Sequence, residues 1–277
     1  MKRQMIAAAA LGALLLAACG DDDKKSSDTT AAGTQTAAEC AAGKTVTDGT
    51  LTIATGEPAF PPYVINDATP EDGQGFEAAV AMAVAAALGF EAANVEWIHT
   101  SFDAAIAPGP KDFDFNLQQY TITPERSEIV TFSVGYYAAP QAIFGLADSP
   151  AATAATLADL KGLKIGVAAG TTSITYIEEV IQPDSEPLIF NDNAAAKEAL
   201  DSNQIDAIVS DLPTALYITA VEMEGTAVFG QIEGSGGDQF GLLLAKDNPL
   251  AACVDQALVA LKDSGQLDAI TTEWMSD

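Results

Sequence analysis

The stretch LKIGVAAGTTSITYIEEVI, residues 163–181, decides the fold. Residues 163–170 are a short apolar run closed by Gly170, which suits a buried strand. Thr171, Thr172 and Ser173 then open a segment that reads as a helix. A strand running straight into a helix is half of a βαβ unit. The alternation continues downstream: PLIFN (187–191) and DAIVSD (206–211) read as strands, NAAAKEALDS (193–202) and PTALYITAVEME (213–224) as helices, and TAVFGQI (226–232) as a further strand.

Upstream, a similar series comes first. TLTIAT (50–55), VEWIHT (95–100), FDFNLQQ (113–119), IVTFSV (129–134) and AIFGLA (142–147) read as strands or extended segments. Between the first two lies FEAAVAMAVAAALGF (76–90), a helix so apolar that it must be largely buried. FGLLLA (240–245) reads as a strand, and two helices, 249–265 and 266–276, close the chain. Strands alternating with helices of this length predict an α/β protein with two mixed, mostly parallel sheets. Two successive series predict two lobes, 49–137 plus 239–277 and 140–237, with crossings near Tyr136–Ala142 and Asp238–Gly241. Ligands of open α/β sheets sit where strand ends lead into helix N-termini, which here means a cleft between the lobes.

The chain has 277 residues, 39 Asp and Glu against 12 Lys and Arg, and a formal net charge of −27. That balance argues against nucleic acid as a partner, because nucleic acid recruits basic surfaces. The start, MKRQMIAAAALGALLLAACG, has a basic beginning and an apolar run that ends at Ala18, with the proportions of a signal peptide over 1–18. Residues 19–48 are polar, rich in small residues and without periodicity, and read as a flexible tether. Cys40 and Cys253 are the cysteines that remain after Cys19; in an exported chain they favour a disulfide over two free thiols.

Arg126, in QQYTITPERSEIVTFS (118–133), is the only arginine beyond residue 3. Thr123 suits a helix N-cap and Pro124 its first position, which puts Arg126 in a first turn where the helix dipole favours anions. An anion in front of it would reconcile the two, and a carboxylate matches the forked guanidinium. A surface ion pair with Glu125 or Glu128 is the competing reading. Gly170 and Thr172 open a second candidate anion site, or form an ordinary strand-to-helix turn. Asp211 ends a strand before a proline-initiated helix, either as an N-cap or as a carboxylate facing a ligand ammonium. An Arg-centred site in one lobe opposite an Asp in the other describes a receptor for a zwitterion. Phe60 and Phe102 follow strands of the first lobe and can flank a ligand side chain or fill the core. Glu57 and Gln119 are candidate specificity groups, Gln119 lying two residues before Thr121 on the same strand face. The single His99 excludes a histidine-rich metal site, so no metal or cofactor is expected.

Taken together, the blocks GTLTIATGEPAFPPYV, GFEAAVAMAVAAALGF, SFDAAI, YTITPERSEIVTFSVGYY, LADLKGLKIGVAAGTTS and DAIVSDLPTALY resemble the extracytoplasmic substrate-binding proteins of polar-amino-acid ABC importers. The resemblance implies the two-lobed type II periplasmic-binding fold. It implies that Arg126 and Thr121 hold the ligand α-carboxylate with a backbone N–H of Thr172. Asp211 would hold the α-ammonium, and Phe60 and Phe102 would flank the side chain. LAAC at 16–19 resembles a lipobox, implying that Cys19 is acylated and the protein held at the outer face of the cytoplasmic membrane or in the periplasm. A monomer that docks on permease subunits follows from the same likeness. The alternatives are an enzyme on the same fold, such as a dehydratase of a cyclic acid using Glu57 or Asp103, or a ligand-sensing module.

Overall fold

The computed structural model describes residues 35–65, 70–232, 234 and 237–275. The expected signal peptide, Cys19 and the first part of the expected tether lie outside the described residues. From Gln35 onward the expectation of a tether is overturned, because Ala37–Ala41 form a helix, α1. Thr36 and Glu39 close a capping box around its first turn, satisfying backbone donors that a short helix leaves exposed. Cys40 and Ala41 are buried, and Cys40 is disulfide-bonded to Cys253 with Cα atoms 5.4 Å apart. The segment ahead of the first strand is therefore packed into the folded body.

The first sheet contains β1 (Leu51–Gly56), β2 (Val95–Thr100), β3 (Phe115–Asn116), β4 (Thr131–Phe132) and β12 (Leu243–Leu244), in the order β2-β1-β3-β12-β4. Strands β2 and β3 run parallel to β1, whereas β12 is antiparallel to both β3 and β4. Helix α2 (Phe76–Ala87) packs against α8 (Ala251–Asp263) and α9 (Gln266–Met275). Its Phe76, Val80 and Val84 are fully buried, each burial contributing roughly 1.5–3 kcal/mol. Short helices α3 (Phe102–Ile106) and α4 (Pro124–Ser127) follow β2 and β3.

The second sheet has the order β10-β6-β9-β7-β8, from β6 (Gln141–Leu146), β7 (Ile165–Ala168), β8 (Leu188–Phe190), β9 (Ala207–Asp211) and β10 (Thr226–Gln231). Strands β8 and β9 are parallel to β7, and β6 is antiparallel to β9 and β10. Helices α5 (Thr172–Tyr176), α6 (Asn193–Asp201) and α7 (Leu212–Tyr217) cover it, α5 and α7 each running on into a π-helical turn. The chain crosses between the sheets at β5 (Tyr137–Ala139) and returns at β11 (Asp238–Phe240), and these two strands pair antiparallel as a ribbon. No helix among the described residues is long and apolar enough to cross a membrane.

Two expected strands are cut short. FDFNLQQ keeps strand pairing only at Phe115–Asn116, so Gln119 does not share a strand face with Thr121. Its backbone is left-handed, with φ 51°. FGLLLA divides at Gly241, because Phe240 pairs with Tyr137 in the crossing ribbon while Leu243 pairs with Asn116 and Phe132 in the first sheet.

Candidate functional site

The C-terminal ends of β1, β2, β7 and β9 converge on one cleft of about 210 Å³. That is below the roughly 300–1,000 Å³ of drug-sized sites, and suits a small metabolite. Glu57, Phe60, Phe102, Gln119, Thr121, Arg126, Thr172 and Asp211 all line it. Gly170 stands beside them, its carbonyl bonded to Arg126.

Arg126 is positioned from its backbone outward. Thr123 caps α4 by accepting the Arg126 N–H at 3.2 Å, which fixes the turn from which the side chain departs. Nη1 donates to the Thr121 carbonyl at 2.7 Å and Nη2 to the Gly170 carbonyl at 2.8 Å, so the guanidinium reaches from the first lobe to the second. Two of its five N–H donors are used in this way. Its charge lies 5.4 Å from the centre of the Phe102 ring, which stacks on Tyr120 at 4.7 Å. Burial lowers the guanidinium pKa from its ordinary value, while Tyr120, Asp238 and Glu125 pull the other way. Neither Glu125 nor Glu128 pairs with it; the ion pair among the described residues is Lys197 with Glu222.

Gly170 has φ 69°, a conformation glycine adopts without strain, and a side chain there would collide with the Asp103 carboxylate. Thr172 opens α5, and its hydroxyl lies 3.3 Å from that of Thr121 across the cleft while donating at 3.0 Å to Asp238. Asp211 is both a helix cap and part of the cleft lining. It caps α7 through the Thr214 N–H and hydroxyl, each at 2.9 Å, and it faces the cleft. Burial raises its pKa, opposed by hydrogen bonds from Tyr63 and Thr214. Glu57 is exposed, and Phe60 is half-buried.

Several residues escaped the sequence reading. Glu77, 1% exposed on α2, accepts the Gln119 backbone N–H at 2.8 Å, the Gln119 side-chain amide at 2.5 Å and the Tyr136 hydroxyl. It therefore holds the cleft floor, including the left-handed Gln119. Burial pushes its pKa up to about 7 despite these bonds. One signal was available: Glu77 is the single charged residue in a helix that has to be buried. Asp238 ties the crossing ribbon to the second lobe by accepting from Thr172, Tyr176 and Gln141. Asp192, which caps α6, and its neighbours Asn191 and Asn193 add polar groups to the cleft wall. With Glu57 and Asp211, this gives the lining three carboxylates against the one guanidinium.

Residues 51–277 match the family model described as bacterial extracellular solute-binding proteins, family 3. The L-cystine-binding protein TcyJ of Escherichia coli (strain K12) is 29% identical, over 82% of this chain and 82% of that protein. An ancestral arginine-binding protein, solved bound to glutamine, is 32% identical with a TM-score of 0.71, over 83% of this chain and 100% of that chain. The ancestral amino acid-binding protein AncCDT-1, described as a precursor of cyclohexadienyl dehydratase, is 30% identical with a TM-score of 0.67, over 82% of this chain and 95% of that chain.

Proposed function

The chain belongs to the bacterial extracellular solute-binding proteins, family 3, and on that premise we propose that it binds a polar amino acid and delivers it to an ABC importer by closing its cleft. The observation that carries this reading is Arg126 reaching across one small cleft toward Gly170, in a space that Asp211 also faces. A guanidinium and a carboxylate on one cavity match the two charges of an α-amino acid. Arg126 grips the α-carboxylate, with Thr121 and the Thr172 backbone N–H beside it. Asp211 takes the α-ammonium, while Phe60 and Phe102 flank the side chain and Glu57 and Gln119 meet its polar end.

Charge-assisted hydrogen bonds contribute roughly 1.5–3 kcal/mol each. A micromolar site needs about 8 kcal/mol in total, so a few such bonds with aromatic contact suffice. Contacts from the second lobe form only when the lobes approach, so ligand binding selects the closed form. The closed form docks on the permease and releases its cargo. Export with acylation of Cys19, leaving a lipid-anchored monomer outside the cytoplasmic membrane, completes the proposal. No enzyme activity is part of it, in keeping with the relatives above that are described as amino acid-binding proteins.

Titration calorimetry on the wild type and Arg126→Ala tests the reading. The wild type should bind at least one polar amino acid near the micromolar range, and Arg126→Ala should lose at least about 100-fold while folding normally. Undiminished binding by the variant would refute the carboxylate assignment. A wild type that binds only ligands other than amino acids would refute the ligand class.

A further inference from the structure

We propose that the hydroxyl of Tyr63 is a latch between the lobes, part of the chain's own closing machinery and not of its ligand contacts; this rests on the closing-cleft reading above. Tyr63 is fully buried and is held by the first lobe at several points. Its N–H donates to the Phe60 carbonyl at 3.0 Å, its carbonyl accepts the Glu77 N–H at 2.9 Å, and its ring meets Phe240 edge-on at 6.4 Å. The hydroxyl donates to Asp211 Oδ1 at 2.5 Å. Asp211 belongs to the second lobe, at the end of β9 and the start of α7.

The two sides of this bond differ in how they are supported. Asp211 keeps its N-cap bonds to Thr214 in any lobe arrangement, since both residues belong to the second lobe, Asp211 as the N-cap of α7 and Thr214 in its first turn. Its carboxylate therefore stays aimed at the same point whether or not Tyr63 is there. Among the described residues Asp211 is the acceptor for the phenol's one hydroxyl, so separating the lobes gives that bond up to water. Burial and the adjacent Asp211 both raise the phenol pKa well above its ordinary value, which keeps the proton needed for donation. A bond present only in the closed form multiplies the closed population by a factor that no ligand alters. Its loss weakens every ligand by the same ratio and opens the ligand-free protein, whereas a disturbed Asp211–ammonium contact would weaken every amino acid and leave the ligand-free lobes as they are.

The experiment compares the full chain with Tyr63→Phe, which keeps the ring and removes the oxygen. Small-angle scattering of the ligand-free proteins should show a larger radius of gyration for Tyr63→Phe, and the two should coincide when saturated with amino acid. Calorimetry with two or more amino acids should show affinities weakened about tenfold by one common factor. Unchanged ligand-free scattering would overturn the latch whatever the affinity does, as would weakening confined to one ligand or any gain in affinity. If Tyr63→Phe does not fold, the wild type decides alone: ligand-free scattering that overlaps the liganded curve supports the latch, and a uniformly open ligand-free form refutes it. If the wild type binds no amino acid, the zwitterion reading fails, while the ligand-free comparison of wild type and Tyr63→Phe still decides the latch.

Discussion

Replacing Glu77 by Gln should remove a pH dependence of stability that the buried carboxyl imposes. Its pKa is about 7 in the folded protein against an ordinary 4.5. The folded state therefore binds this proton more tightly than the unfolded chain does. The associated stabilisation is fully present below about pH 4.5 and is lost as pH rises through about 7. At 1.36 kcal/mol per pH unit, the loss across that window is on the order of 3 kcal/mol. Glutamine is nearly isosteric: its carbonyl can accept the Gln119 N–H and the Tyr136 hydroxyl, and a flipped Gln119 amide can accept from its NH₂. The assay is urea unfolding of both proteins at intervals from pH 4.5 to 8.5. Stability of the wild type relative to Glu77→Gln should fall by about 3 kcal/mol between the ends of that range. Other titrating groups, Asp114 among them, largely cancel in the difference. A difference that stays flat, or that rises with pH, would refute the reasoning.

Three further outcomes are expected. Cys40→Ser should lower stability by about 3–5 kcal/mol in denaturant unfolding, because the disulfide closes a loop with a sequence separation of 213, and ligand affinity should be little changed. Gly75→Ala should destabilise by at least about 2 kcal/mol in the same assay, since φ there is 106° and a Cβ would lie 2.5 Å from the Tyr63 carbonyl oxygen. Phe102→Ala removes the stack on Tyr120 and the ring beside Arg126; denaturant unfolding should show a loss of about 1–3 kcal/mol from these two contacts, and calorimetry a weaker affinity because a ring flanking the ligand is gone.

The α/β alternation was legible because a strand and a helix each write their burial into a local period. The cap at Thr123, the position of Arg126 in the following turn and the placement of Asp211 at a strand end were legible for the same reason, since caps and breakers act within a few residues. The end of the tether was not. The run from 35 to 48 looks featureless until Cys40 meets Cys253 and the Thr36–Glu39 box gives a short helix a surface to pack on. Gln119 read as a strand residue because its left-handed turn is imposed by Glu77, 42 residues earlier.

By itself, then, the sequence determined the class of fold, the lone guanidinium of the cleft and the carboxylate opposite it. Tertiary structure decided how those groups are held: Glu77 beneath Gln119, Asp238 against Thr172 and Tyr176, and Tyr63 on Asp211 across a separation of 148 residues. A hydrogen bond between distant residues leaves no period and no spacing in the chain. It exists only when packing has removed water from both partners and left each the other as its available match.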